Sequence, residues 1–172
     1  MKIETYERLR ELHGKYGAQE FGKLCQKLLA ISFGMAGYGH VVERGVQGVD
    51  VDAAEENGER YAVEVKTTTK ESVQFEQKDA EGLENRRKDG YQPLLAVLRL
   101  FLFSEWYFVK ADRLKPGGIL LDSLRPYRLR ILEDRIRPYF DQAVDEHFKG
   151  ALERSQVYLD GILRERGIDA QS

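Results

Sequence analysis

The chain has 172 residues, of which 42% are hydrophobic and 33% are charged, and its formal net charge is -2. This composition excludes a disordered chain and predicts one globular domain, or one domain with an appendage. The single cysteine, Cys25, excludes an intramolecular disulfide and a zinc site built from several thiolates. No apolar run approaches a membrane span and the N-terminal residues lack a signal-peptide core, so we expect a cytoplasmic protein.

The N-terminal part of the chain is predicted to form two helices and a strand. Residues 4–14 are typical of a short charged helix that ends at Gly14. Apolar residues recur at helical spacing over residues 18–33, which predicts a longer helix with Glu20 in its first turn. The helix dipole alone is a sufficient reason for an acidic residue there. A strand is predicted over residues 40–44, and a lone histidine at its start, His40, is more often structural than catalytic.

The most informative stretch is GVDVDAAEENGERYAVEVKTT, residues 48–68. Residues 49–53 and 60–67 are predicted to be antiparallel strands, because Asn57-Gly58 between them is a strong hairpin signal. In the second strand, Ala62, Glu64 and Lys66 alternate with Tyr61, Val63 and Val65, which places the two sets on opposite faces. Asp50 and Asp52 share one face of the first strand.

This hairpin carries an unusual set of charged side chains. Clustered carboxylates repel one another unless a cation lies among them, and Mg²⁺ or Mn²⁺ prefers such oxygen ligands. A lysine beside the metal can orient a water molecule and stabilise charge on a phosphate. The alternative is an edge hairpin on which Glu64 and Lys66 form a surface ion pair that contributes little.

The elements after the hairpin complete a mixed sheet. A polar loop over residues 67–72 precedes a predicted helix over residues 76–88, which ends in the basic sequence Arg86-Arg87-Lys88. The apolar run of residues 94–101 is typical of a central strand covered on both faces. Residues 106–109 are predicted to return as a further strand. The fold class is therefore α/β, with a central mixed sheet flanked by helices.

The composition changes after a break at residues 115–118. We therefore divide the chain into a core of residues 1–115 and a helical C-terminal extension of residues 116–172. The extension begins with an arginine-rich segment, Arg125 to Arg137. A long helix is predicted from Pro138 to Arg166, with a slip in its apolar spacing near Ser155. Its apolar stripe could pack on the core or pair with a second copy of the chain.

Four positions in this order resemble the PD-(D/E)XK nuclease superfamily. Gly48-Val49-Asp50-Val51 resembles the G-[VI]-D-[VIL] entry to that family's hairpin, and Val63-Glu64-Val65-Lys66 resembles its apolar-E-x-K exit. Glu20 lies on a preceding helix, and the following helix and strand stand where the family continues. The resemblance covers residues 18–109 and implies a restriction-endonuclease-like core. Within the superfamily, the size, the early glutamate and GYQPLLAVLRL are most similar to archaeal-type Holliday junction resolvases.

The resemblance implies a role for each matching residue. Asp50 and Glu64 are expected to bind Mg²⁺, for which Mn²⁺ could substitute, with the carbonyl of Val65 as a further ligand. Lys66 is expected to position or activate water, and Glu20 to complete the site. Asp52 is a rival to Asp50, while Gln74 and Gln77 are weak candidates for an accessory glutamine. The arginine-rich segment and Arg86, Arg87 and Lys88 are expected to contact DNA phosphates.

The sequence is therefore consistent with three functions. The first is a Mg²⁺-dependent endonuclease that cuts branched DNA as a homodimer in recombination or repair. The second is a small restriction-type or DNA-repair endonuclease, which would need base-reading loops that this short chain hardly provides. The third is a non-catalytic DNA-binding module that has kept a nuclease fold, since fold alone does not grant activity.

Overall fold

The computed structural model of the chain describes residues 1–44 and 48–171, so residues 45–47, which follow the predicted strand 40–44, lie outside it. The helices of the described residues are α1 (Ile3–Met35), α2 (Gln77–Lys88), α3 (Leu121–Leu124) and α4 (Arg130–Glu165), with short 3-10 turns at Ala111–Arg113 and Arg125–Tyr127. The strands are β1 (His40–Arg44), β2 (Val51–Ala54), β3 (Arg60–Thr68), β4 (Ser72–Phe75), β5 (Gln92–Arg99), β6 (Trp106–Lys110), β7 (Gly117–Leu120) and β8 (Asp169–Gln171).

The main sheet is mixed, as the sequence predicts. Its strand order is β6-β5-β3-β2-β1-β8, and β4 and β7 form a separate antiparallel pair. The β2–β3 hairpin is antiparallel, and β5 lies parallel to β3 because α2 supplies the crossover between them. The predicted fold class, a central mixed sheet flanked by helices with a helical C-terminal segment, is confirmed.

The predicted alternation of β3 is also confirmed, and it separates two hydrophobic clusters. Tyr61 and Val63 face the larger cluster, which α1 and α4 cover, whereas Ala62 faces the smaller one with Leu83 of α2. Glu64 and Lys66 therefore project from the α2 face of the sheet.

Helix α1 contains the predicted break, but at Gly17 rather than at Gly14. Gly17 has φ +78°, a conformation that glycine adopts without the penalty a side chain brings. The chain reverses there, since the rings of His13 and Phe21 lie 5.1 Å apart although eight residues separate them. The second part of the helix extends two residues beyond the predicted end at Phe33.

Helix α4 begins at Arg130, eight residues before the predicted start, and Pro138 lies inside it. The helix extends further because Leu132 and Ile136 continue its apolar stripe into the core. At Ser155, where the apolar spacing slips, φ is +53° and the helix reverses. His147 Nδ1 consequently lies 3.2 Å from the Tyr158 hydroxyl.

The C-terminal residues share the core of the preceding ones. The stripe residues Phe140, Val144 and Leu159 are buried in the cluster that α1 lines, so in this chain the stripe packs on α1. Strand β7 pairs with β4, and β8 extends the main sheet parallel to β1. The division at residue 115 stays a prediction. Within residues 1–44 and 48–171, no helix combines the length and the apolar character that crossing a membrane requires.

Candidate catalytic site

The β2–β3 hairpin places Asp50 against the strand that carries Glu64. Asp50 immediately precedes β2, and its backbone N–H donates to the carbonyl oxygen of Val63 over 3.1 Å. Its carboxylate in turn accepts the N–H of Val65, with a 2.7 Å separation. These two bonds hold the Asp50 side chain beside the middle of β3.

Glu64 and Lys66 contact each other on the α2 face of β3. The Glu64 side chain is buried, and its Oε1 lies 2.9 Å from Nζ of Lys66. The ion pair is thus largely covered, and the surface-pair alternative of the sequence analysis does not describe it. Asp50, Glu64 and Lys66, predicted from separate motifs, are brought together.

Asp79 is a member of the site that the sequence analysis missed. It lies in the first turn of α2, is 4% exposed, and approaches Nζ of Lys66 to 2.6 Å. The backbone N–H of Glu76 donates to the same carboxylate oxygen over 2.8 Å, and the Glu64 side chain is a further hydrogen-bond partner of Asp79. The signal available in the sequence was the acidic pair Glu76 and Asp79, three residues apart at a helix start. Lys66 is therefore held between two carboxylates from different elements.

The close packing of α2 against the hairpin positions Asp79. A Cβ added to Gly82 would meet the backbone carbonyl carbon of Gly48 at 3.2 Å. A side chain at position 82 would therefore require the helix or the Gly48 backbone to shift by a few tenths of an ångström. This close packing brings Asp79, one turn earlier in the helix, to Lys66.

The ionised forms of the Asp50 and Glu64 carboxylates are electrostatically unfavourable in the folded protein. Burial raises the pKa of Glu64, and the neighbouring Asp50 carboxylate raises it further. Burial likewise raises the pKa of Asp50, although the Val65 N–H and Lys66 oppose the shift. The pKa of Asp79 is lowered despite its burial, because Lys66 and the Glu76 N–H donate to it. Asp50 and Glu64 thus form a site that a cation would relieve.

A buried polar cluster supports the backbone at Asp50. Nε2 of Gln26 lies 2.7 Å from the carbonyl oxygen of Arg44 and 3.4 Å from that of Asp50. The same amide donates to Glu43, whose other oxygen lies 3.1 Å from Nζ of Lys27. These contacts tie α1 to the strand end that precedes the hairpin.

Asp52, the rival of Asp50, is engaged elsewhere. It is 1% exposed, and its carboxylate accepts hydrogen bonds from the guanidinium groups of Arg44 and Arg86 at 2.7–3.2 Å. The side chain thus serves a buried ion-pair network between β2, β1 and α2. This arrangement favours Asp50 as the ligand, because its carboxylate bonds to the Val65 N–H next to Glu64 and raises the pKa of Glu64.

Glu20 makes its contacts with α4. Its carboxylate accepts the Ser155 hydroxyl and, over 2.8 Å, the side-chain amide of Gln156. Among the contacts found in the described chain, none joins Glu20 to Asp50, Glu64 or Lys66. The part of α1 that carries Glu20 is nevertheless near the end of β3, since a Cβ on Gly22 would lie 3.3 Å from Oγ1 of Thr67. Its role in the site stays a prediction.

The other candidate residues lie on the surface or in ion pairs. Gln74 is exposed, and Gln77 is exposed with its amide bonded to Glu81. Several of the predicted phosphate-binding arginines have acidic partners, namely Arg86 with Asp52, Arg87 with Glu84, Arg125 with Asp122, Arg128 with Glu133, Arg135 with Glu55 and Arg137 with Glu105. Arg86 and Arg128 have buried partners, so these two are structural rather than free for DNA.

The carboxylate oxygens of Asp50 and Glu64 suit a hard cation that binds few protein ligands. Over residues 1–44 and 48–171, no group of three acidic, histidine or cysteine side chains gathers in a metal-binding arrangement. Mg²⁺ is nevertheless commonly held by one or two carboxylates while it keeps several waters. Asp50 and Glu64 are two such carboxylates, and the burial that raises their pKa values also favours a cation bound between them.

The raised pKa of Glu64 predicts a gain in stability when its charge is removed. The folded protein keeps a proton that the unfolded chain releases between the ordinary Glu pKa and about 8, so the free energy of unfolding falls as pH rises through that window. Without metal at pH 8, Glu64→Gln should raise Tm by about 2–4 °C, and the gain should disappear near pH 4. Thermal unfolding at both pH values measures this, with the exposed Glu81→Gln as the matched control. A lower Tm for Glu64→Gln at pH 8 contradicts it.

Comparison with known proteins gives a structural likeness at low sequence identity. A scan against protein-family models finds no match, and a search among curated proteins finds none. Among solved structures, the chain is similar to Hjc of Archaeoglobus fulgidus, a Holliday junction resolvase from an archaeal hyperthermophile. The two chains are 17% identical with a TM-score of 0.48, over 58% of this chain and 90% of that one. A likeness at this level concerns the fold and assigns no role to any residue here.

Proposed function

We propose that the chain is a Mg²⁺-dependent endonuclease that hydrolyses phosphodiester bonds in DNA. The observation that carries the proposal is the convergence of Asp50, Glu64 and Lys66 on one face of the hairpin, with Glu64 and Lys66 in contact. Two carboxylates with raised pKa values beside a fixed ammonium group suit a phosphate-cleaving site better than a structural ion pair.

Each residue has a distinct part in the proposed reaction. Asp50 and Glu64 would hold Mg²⁺ or Mn²⁺, which when bound offsets negative charge on the phosphate. Lys66 would donate a hydrogen bond to the attacking water or to a phosphate oxygen. The water oxygen would form the new P–O bond and release a proton. The P–O bond to the 3′-oxygen on the opposite side would break, and the 3′-oxygen would take up a proton. The products are a 5′-phosphate and a 3′-hydroxyl.

Asp79 would act as a positioning residue for Lys66. Because the Lys66 ammonium lies between Asp79 and Glu64, its position is fixed by two elements rather than by one long flexible side chain. Burial lowers the pKa of Lys66, but the two carboxylates outweigh this effect and raise it. Lys66 is thus a charged donor at neutral pH, not a general base.

Branched DNA is the proposed substrate, and a homodimer is the proposed assembly. Between β2 and β3, the connection comprises only residues 55–59, which leaves few side chains there for reading base edges in a groove. An enzyme that recognises DNA by shape needs no such loops. A homodimer would present two such sites to the two exchanging strands of a four-way junction.

Cleavage of matched DNA substrates tests the proposal. With Mg²⁺, the wild-type protein should cut a labelled four-way junction in paired symmetric positions and leave linear duplexes of the same sequence intact. EDTA should abolish the cuts. Cleavage of the duplex at fixed sequences would favour a restriction-type enzyme instead. Binding without cleavage of either DNA would identify a non-catalytic module.

A further inference from the structure

An apolar loop projects from the end of the sheet that carries Lys66. The loop connects β5 to β6, and its residues Phe101, Leu102 and Phe103 are 55%, 40% and 75% exposed. Phe103 has φ +63°, which is uncommon for a bulky side chain. Two phenylalanine side chains are therefore exposed to water, and one of them belongs to a residue in a disfavoured backbone conformation. Both features are unfavourable for the free energy of folding, and packing within the chain does not explain them.

The loop borders a cavity of about 370 Å³. This volume lies near the lower end of the range of pockets that bind one small ligand, roughly 300–1,000 Å³. The cavity is lined by aromatic rings, among them Phe101 and Phe103, and by aliphatic side chains. Three guanidinium groups and three carboxylates also line it, namely those of Arg99, Arg125, Arg128, Glu71, Glu105 and Asp122.

The cavity and the candidate catalytic site share one face of the sheet. Strands β3 and β5 are parallel, and their register pairs Lys66 with Val97 and Thr68 with Arg99. Residues paired in register project to the same face. The cavity wall therefore begins one strand away from the Lys66 side chain.

Two of the guanidinium groups at the cavity have weakly held carboxylate partners that a phosphate can replace. Arg99 lies 3.6 Å from Glu71, and Arg125 lies 3.0 Å from Asp122, but both acidic partners are more than 80% exposed. Surface pairs of this kind contribute little, so a phosphate can replace the carboxylate at small cost. The Arg99 guanidinium carbon also lies 4.7 Å from the centroid of the Phe101 ring, a cation–π contact that keeps a positive charge beside this ring.

We propose that this cavity receives an unpaired base of the DNA substrate, stacked on Phe101 and Phe103, with its phosphate on Arg99 or Arg125. The inference rests on the proposed function and deepens it: the branched DNA substrate would present one unpaired nucleotide to the cavity at its branch point. Aromatic faces bind bases of any sequence, whereas the cationic groups track the backbone. The cavity is too small for a paired duplex.

Binding measured without cleavage tests this proposal. The probe is a single-stranded oligodeoxynucleotide containing 2-aminopurine, whose fluorescence is quenched by stacking, in EDTA. The wild-type protein should quench the probe and bind it more tightly than a fully paired duplex of the same sequence. Phe103→Ala should weaken binding of the single strand about tenfold and reduce the quenching. Ile131→Ala removes a side chain that is 88% exposed outside the cavity and should change neither.

The outcomes separate this inference from the proposed nuclease activity. Equal binding and quenching by Phe103→Ala and the wild-type protein overturns the inference. Loss of a dimer in Phe103→Ala, measured by sedimentation, with unchanged DNA binding also overturns it and assigns the loop to contacts between copies. Stacking that persists in a wild-type protein unable to cleave with Mg²⁺ supports the cavity assignment and rejects the nuclease. Cleavage without any stacking rejects the cavity assignment alone.

Discussion

Replacing Lys66 by alanine should lower the rate of Mg²⁺-dependent DNA cleavage by about 10²–10³-fold. Its ammonium group lies 2.9 Å from the Glu64 carboxylate and 2.6 Å from that of Asp79. Loss of a preorganised donor aimed at developing charge typically has an effect of this size. Single-turnover cleavage measures the loss in the chemical step separately from DNA binding.

A second variant, Asp79→Asn, distinguishes a residue that positions Lys66 from a residue that acts directly on the substrate. Asp79→Asn keeps an oxygen that can accept the Lys66 and Glu76 hydrogen bonds but removes the charge that holds Lys66. Its cleavage rate should fall about tenfold, less than for Lys66→Ala. Both variants should keep the far-ultraviolet circular dichroism of the wild-type protein. Full activity in folded Lys66→Ala would remove this residue from the mechanism.

Asp50→Asn and Asp52→Asn should have opposite effects: the first should lower cleavage activity and the second should lower stability. Asp52→Asn should lower the free energy of unfolding by about 2–3 kcal/mol, since it breaks a buried pairing with two guanidinium groups. Asp50→Asn should leave stability within about 1 kcal/mol, because the raised pKa of Asp50 shows that its charge is already disfavoured.

Activity completes this comparison. Asp50→Asn removes a metal ligand and should reduce cleavage by about 10³-fold, whereas folded Asp52→Asn should remain within about tenfold of the wild-type rate. Denaturant unfolding and cleavage below the unfolding transition give both quantities for each variant. An inactive but fully stable Asp52→Asn protein would assign the ligand to Asp52 instead.

The hairpin could be predicted because its signals are local. Period-two alternation sets the faces of Glu64 and Lys66 within a single strand, and the Asn57-Gly58 turn fixes the partner strand. The buried strand β5 was equally clear from its apolar run. The hairpin brings Asp50, Glu64 and Lys66 together through contacts between two strands that are adjacent in sequence.

The parts that could not be predicted depend on partners distant in sequence. Asp79 meets Lys66 through the packing of α2 on the hairpin, which Gly82 permits. Arg86 looked like a phosphate contact until its buried partner Asp52, 34 residues earlier, was known. Glu20 likewise contacts Ser155 and Gln156, which only the reversals within α1 and α4 bring near it. Charge alone in a sequence does not distinguish a buried pair from a free surface cation.

The most direct test of the account is cleavage of a four-way junction with Mg²⁺ by Glu64→Gln beside the wild-type protein. The two side chains have nearly the same shape, and the metal-free variant should be at least as stable as the wild-type protein. The account predicts symmetric cuts by the wild-type protein and none by Glu64→Gln. Equal cleavage by the two proteins would contradict the assignment of this hairpin as a nuclease site.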